Sequence, residues 1–104
     1  MAKIEDCTHV ELYQIAYSDI EPYGSKFALI LCLKDPVTEV AVKKVAISMS
    51  NISKFLKESN IHSILRITGS YIRCLINEDK KINYVGLVED SWTVCKDMNL
   101  RGDK

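Results

Sequence analysis

The chain has 104 residues, of which 47% are hydrophobic and 27% charged, and its 14 Lys and Arg residues balance its 14 Asp and Glu residues. This composition is typical of a single globular domain with one core and excludes a disordered chain. The zero net charge also argues against a protein that coats nucleic acid, because such proteins usually carry a basic excess.

We expect neither a secretory signal nor a membrane span. No apolar run follows a basic start, and the longest apolar run, FALILCL, is far shorter than the roughly 20 residues that cross a bilayer. The four cysteines are widely spaced, and Cys32 and Cys74 lie in apolar runs, where Cys packs as a small buried hydrophobe. The sequence therefore predicts a protein of the reducing cytoplasm rather than a disulfide-stapled secreted one.

The first half of the chain predicts three strands. Residues 9–18 alternate in polarity as a strand does, although Ile4, Cys7 and Val10 also fit a short helix before it. After a turn at residues 21–24, the continuous apolar run FALILCL predicts a strand that is buried on both faces. Asp35 and Pro36 open the next turn, and residues 39–47 alternate again, as expected of a partner for the buried strand.

A helix is predicted after these strands. Ser48 or Ser50 can cap its start, and Ile52, Phe55 and Leu56 share one face at helical spacing. A helix of roughly ten residues is marginal on its own, so we expect it to pack against the sheet.

The second half predicts three more strands. Residues 64–68 and 71–76 form a type II′ hairpin around Gly69 and Ser70, and a polar turn at residues 77–81 leads to a strand at 82–89. The segment 91–98 reads equally as a helical turn or a last strand, and residues 99–104 as a flexible end. The prediction is an α+β fold in a single domain over residues 1–104, with a twisted antiparallel sheet of five to six strands and one helix on a face.

The predicted hairpin places Arg66 opposite Arg73, an arrangement that is unfavourable for like charges. With a four-residue turn, the following strand places Gly86 beside Arg73 and Tyr84 beside Leu75, although a slip of one residue would reverse the faces. The sequence then predicts a cradle for a phosphate or carboxylate, formed by Arg66, Arg73, Tyr71, Tyr84 and Gly86. In the alternative, the arginines splay apart and pair with surface acids such as Glu89.

The motifs of catalysis and metal binding are missing from the sequence. The only histidines are His9 and His62, and Cys7 with His9 supplies at most two metal ligands. No nucleophile motif surrounds any serine, and Gly24-Ser25-Lys26 lacks the earlier glycine of a phosphate loop. We therefore expect no catalytic residue, no metal and no cofactor. Nucleic-acid binding is not expected either, because basic residues do not interleave with the tyrosines.

The function expected from the sequence is that of a non-enzymatic interaction module. It would act as an accessory or inhibitory factor that binds another protein, or a second copy of itself, through a sheet edge or face. Trp92, Tyr13 and Tyr17 are the candidate anchors, and core packing is the alternative for each. The second hypothesis is a binder of a small anionic ligand, such as a nucleotide, through Arg66 and Arg73.

Overall fold

The computed structural model describes residues 7–58, 67–87 and 91–98, in which a seven-stranded antiparallel sheet accompanies one helix. The elements are β1 (Cys7–Tyr23), β2 (Lys26–Lys34), β3 (Ala41–Ser48), α1 (Met49–Glu58), β4 (Tyr71–Asn77), β5 (Ile82–Gly86), β6 (Thr93–Val94) and β7 (Lys96–Asp97). The α+β prediction is confirmed. None of the described helices is long and apolar enough to cross a membrane.

The long strand β1 belongs to both halves of the sheet. Residues 7–14 pair with β4, whereas residues 14–23 pair with β2, so the strand changes partner at Gln14. The register with β2 shifts between Ile15 and Tyr17, which marks a bulge where the strand bends. The predicted strand at 9–18 is confirmed and is longer than expected.

The sheet closes on itself through the segment that follows β5. The strand order is β6-β5-β4-β1-β2-β3-β7, and only Cys95 separates β6 from β7 along the chain. One short segment therefore pairs with β5 through Thr93 and Val94 and with β3 through Lys96 and Asp97. Of the two predictions for residues 91–98, the strand is confirmed and the helical turn is wrong.

Strand β2 is buried on both faces, as predicted. On the inner side, Leu29, Leu31 and Leu33 belong to the main core. On the outer side, Ala28 and Ile30 form a second cluster with Ala46, a residue of the predicted partner strand β3.

The helix packs on the sheet through the predicted residues. It begins directly after β3, and Ile52 and Phe55 are buried in the main core while Leu56 packs against it. Lys54 also donates a 2.8 Å hydrogen bond to the carbonyl of Trp92. The helix therefore ties β3 to the segment that closes the sheet.

The predicted hairpin at Gly69 and Ser70 is wrong. The edges of β4 are paired with β1 on one side and β5 on the other, which leaves no ladder position for a hairpin partner. The turn lies one residue earlier, since the amide of Ser70 donates to the carbonyl of Ile67 at 3.0 Å and Gly69 has φ +91°. A positive φ at the second central residue is typical of a type II turn. Residues 59–66 lie outside the described ranges.

The turn between β4 and β5 lies at the predicted place but is one residue shorter than predicted, because a register shift after Leu75 pairs Ile76 with Ile82. Asn77 caps it, because its side-chain oxygen accepts hydrogen bonds from the amides of Asp79 and Lys81 at 2.9 and 3.0 Å. Beyond this shift the predicted pairs are confirmed, with Arg73 beside Gly86 and Leu75 beside Tyr84.

Candidate functional site

Two neighbouring strands turn apolar side chains outward over one half of the sheet. On β4, Ile72, Cys74 and Ile76 belong to the main core, so the alternate residues of the strand point to the outer side. The pairing of β4 with β1 and β5 extends this outer surface across three strands. We call it the apolar face, and it consists of Val10, Leu12, Tyr71, Arg73, Leu75 and Tyr84.

The apolar face exposes large side chains to solvent. Val10, Leu12 and Tyr71 have 49%, 52% and 56% of their surface exposed, whereas Leu75 between them is 8% exposed. The ladder sets Leu12 beside Arg73 and Val10 beside Leu75, so the exposed residues are neighbours. Contiguous exposed apolar surface of this kind marks interaction sites in proteins.

Arg73 lies against the only tryptophan of the chain. Its guanidinium carbon is 5.6 Å from the centre of the Trp92 ring, within the range of a cation–π contact. The cross-strand neighbours of Arg73 are Leu12 and Gly86, so the predicted pairing with Arg66 in the ladder is wrong. Arg66 itself and Glu89 lie outside the described residues.

The glycine predicted to leave room for a ligand instead faces backbone. A Cβ atom added at Gly86 would collide with the carbonyl oxygen of Ser91 and would lie 3.5 Å from the Trp92 ring. This close approach explains why position 86 requires glycine. The Trp92 ring, which contacts Arg73, lies beside the same glycine.

The two tyrosines predicted as anchors on β1 have different surroundings. Tyr13 is 9% exposed and lies in the main core, the alternative that the sequence left open. Tyr17 is 50% exposed and lies opposite Cys32 of β2, away from β4. Of the other predicted residues, Tyr71, Tyr84 and Arg73 share one face, and Trp92 lies at its border.

A second site, missed by the sequence reasoning, is a cavity of about 280 Å³ at one end of the closed sheet. We call it the end cavity, and it is lined by His9, Glu11, Lys43, Ile76 and Lys80. His9 and Glu11 pair with the core residues Ile76 and Cys74, so they point inward at the open end of the core. The alternation of β1 contained this signal, because it sets both residues on the same side as Tyr13 and Ile15.

Hydrogen bonds hold the polar groups of the end cavity in place. Tyr13 donates to one carboxylate oxygen of Glu11 at 2.6 Å, and His9 lies 3.0 Å from the other. Lys43 donates to the carbonyl of Lys80 at 3.1 Å and lies 3.5 Å from the carboxylate of Asp97. The side chain of Asp97 is only 4% exposed and also accepts a 3.0 Å bond from the amide of Ile82.

The hydrogen bond between Tyr13 and Glu11 shifts the pKa values of both groups. The hydrogen bond from Tyr13, and next that with His9, lowers the pKa of the Glu11 carboxyl below its ordinary value. Burial, followed by the same hydrogen bond, raises the pKa of the Tyr13 hydroxyl. At neutral pH Glu11 is therefore a carboxylate and Tyr13 a neutral donor.

The four cysteines are free thiols, and Cys32 and Cys74 are buried as predicted. Burial raises the pKa of the Cys74 and Cys95 thiols, which keeps both protonated and unreactive at neutral pH. Within residues 7–58, 67–87 and 91–98, no group of three or more His, Cys, Asp or Glu side chains could hold a metal ion.

No protein-family model, curated protein or solved structure matches the chain.

Proposed function

We propose that the protein is a non-enzymatic interaction module that binds another protein through the apolar face. The observation that carries this proposal is the exposure of three large neighbouring side chains, Val10, Leu12 and Tyr71, beside a tyrosine, a tryptophan and an arginine. Tyr, Trp and Arg supply most of the binding energy at protein interfaces.

Rigidity of the apolar face also supports partner binding. Its strand β4 is paired on both edges, and Arg73 is stacked on Trp92, which the close approach of Ser91 to Gly86 positions. A side chain that is already ordered loses less conformational entropy on binding. Tyr71 and Leu12 are the most exposed apolar side chains of this face, so we assign them the role of central contacts. Arg73 and Tyr84 lie beside them.

The anion-binding alternative has less support at this place. Arg73 is engaged with Trp92, and the backbone of Ser91 fills the space beside Gly86. A flat, half-exposed apolar surface suits a protein partner better than a phosphate, which requires convergent hydrogen-bond donors.

An affinity capture from the expression host tests the proposal. The tagged wild-type protein is compared with the double variant Leu12→Ser/Tyr71→Ser and with the control Val37→Ser/Val40→Ser. The control removes apolar residues that are 88% and 58% exposed in the turn after β2. We expect a partner that the wild type and the control retain and the face variant loses, and whose affinity, remeasured with purified components, falls at least about 30-fold.

Retention of the same partners by all three proteins would contradict the proposal. A separate Tyr17→Ser variant tests the predicted anchor on β1, and an unchanged affinity would place Tyr17 outside the interface. If the partner retained by the wild type is a second copy of the chain, sedimentation at increasing concentration will show a dimer that the face variant does not form.

The proposed location is the reducing cytoplasm. Four free thiols, two of them buried, are compatible with a compartment that keeps cysteines reduced. Labelling of all four thiols after denaturation, in protein quenched directly from cells, is the expected result, and fewer than four would indicate a disulfide.

A further inference from the structure

We propose that the end cavity binds a small zwitterion, a molecule with one carboxylate and one ammonium group such as a free amino acid. The proposal does not depend on the apolar face, because the two sites use opposite sides of β1. Val10 and Leu12 point outward, whereas His9 and Glu11 point into the cavity.

Both charges of a zwitterion find a partner in the end cavity. Glu11 presents a carboxylate whose two oxygens each make one hydrogen bond, to Tyr13 and to His9, and each oxygen can accept another. Lys80 also lines the end cavity, and its side chain makes no hydrogen bond or ion pair with another described residue. We assign the ligand's ammonium to Glu11 and its carboxylate to Lys80.

The remaining polar groups of the end cavity are positioned before a ligand arrives. Lys43 is held by the carbonyl of Lys80 and by Asp97, and Asp97 is held by the amide of Ile82. Because Lys43 is committed to these oxygens, it is not the group that binds the ligand carboxylate. Such preorganisation is what separates a binding site from a mobile surface.

The volume and the apolar lining of the end cavity suit a ligand of this class. Its volume of about 280 Å³ lies just below the range for drug-sized molecules, which begins at about 300 Å³. Ile76 supplies an apolar wall for an aliphatic side chain. A single amino acid fits this combination, whereas a nucleotide is too large.

The backbone at Lys80 also favours a role for its side chain. Lys80 has φ +63°, in the left-handed region that Gly and Asn adopt at lower cost. Glycine or asparagine would fit this backbone at lower cost, so the turn itself does not require a lysine at position 80.

Ligand-observed NMR with the standard L-amino acids, beginning with L-leucine, tests the proposal directly. We expect at least one of them to bind, and we expect its deaminated and decarboxylated analogues to bind at least about tenfold more weakly. For leucine these probes are 4-methylpentanoate and 3-methylbutylamine. Absence of binding by every amino acid, or equal binding by the deaminated analogue, would overturn the proposal.

Substitutions of Lys80 and Glu11, the two groups assigned to the ligand's charges, supply the second test. Lys80→Gly should abolish binding and at the same time raise the melting temperature, so loss of binding could not be attributed to misfolding. Glu11→Gln should abolish binding as well, and the matched control Lys81→Gly, at the next position of the same turn, should leave it unchanged. Undiminished binding by Lys80→Gly would contradict the assignment of the ligand carboxylate.

Discussion

The outer side of the sheet differs between its two halves. Over β2 and β3, Ala28, Ile30 and Ala46 are buried, with Tyr23 and Met98 of the same chain packed against them. Over β1 and β4, Val10, Leu12 and Tyr71 are each about half exposed. Burial of apolar surface stabilises a fold only where the chain itself provides the cover. The outer side over β2 and β3 therefore contributes to the stability of the fold, whereas Val10, Leu12 and Tyr71 over β1 and β4 remain half exposed to solvent.

The largest expected effect contrasts one residue from each half. Ile30→Ala should lower the free energy of unfolding by about 2–5 kcal/mol, because it removes a fully buried side chain. Leu12→Ala should change it by no more than about 0.5 kcal/mol, because Leu12 is already half exposed. Urea denaturation of both variants measures the difference. Equal losses would show that the apolar face is covered in solution.

A second substitution disturbs the border of the apolar face. Gly86→Ala introduces a Cβ atom in collision with the carbonyl of Ser91, and relief of that contact requires a backbone shift. We expect a loss of about 1–3 kcal/mol in the free energy of unfolding. Because Trp92 is the only tryptophan, a shift of its emission should accompany the loss. An unchanged stability and spectrum would contradict the close approach.

The end cavity provides a stabilising substitution. Lys80→Gly should raise the free energy of unfolding by about 1 kcal/mol, because glycine adopts the positive φ of this turn without the steric cost that a side chain incurs. Thermal and urea unfolding of the variant measure the gain. A destabilised variant would mean that the Lys80 side chain stabilises the fold by more than its positive φ costs.

The smallest expected effect is a pH dependence. The pKa of Glu11 is lower in the folded state than its ordinary value, so its ionised form stabilises the fold above that value. This contribution is lost as the pH falls through the lowered pKa. Because Glu11 is partly exposed, we expect no more than a few tenths of a kcal/mol. The test compares the free energy of unfolding of Glu11→Gln with that of the wild type between pH 3 and pH 7 (roughly the range in which carboxyls titrate). The value for the variant should fall less steeply as the pH decreases.

Two Gly-Ser pairs show how far the sequence could predict the fold. Gly24 and Ser25 form a two-residue hairpin between Tyr23 and Lys26, with Gly24 at φ +66°. Gly69 and Ser70 have the same local chemistry, but no hairpin forms there because β1 and β5 occupy both edges of β4. Local signals therefore predicted β1 to β5, the helix and the pairing of Arg73 with Gly86 and of Leu75 with Tyr84. The pairing of distant strands decided the second turn, and no dipeptide preference contains that information.

Only part of the candidate site could be predicted, because local patterns determine some of its features and tertiary packing determines the others. The outward alternation on β4 and the register with β5 follow from local pattern, and they placed Tyr71, Arg73, Tyr84 and Gly86 together. The contact between Trp92 and Arg73 and the approach of Ser91 to Gly86 depend on the path of the closing segment. That path follows from tertiary packing, which local sequence patterns do not show. For this reason the sequence predicted a ligand beside Gly86 where the backbone of Ser91 lies.

The most direct test of the central claim is photo-crosslinking in living cells, with p-benzoylphenylalanine in place of Tyr71. The same group in place of Val37, which is 88% exposed, serves as the control. We expect position 71 to yield a specific crosslinked product that position 37 does not yield and that Leu12→Ser abolishes. The same products from both positions, or none from position 71, would contradict the proposal that the apolar face binds a protein.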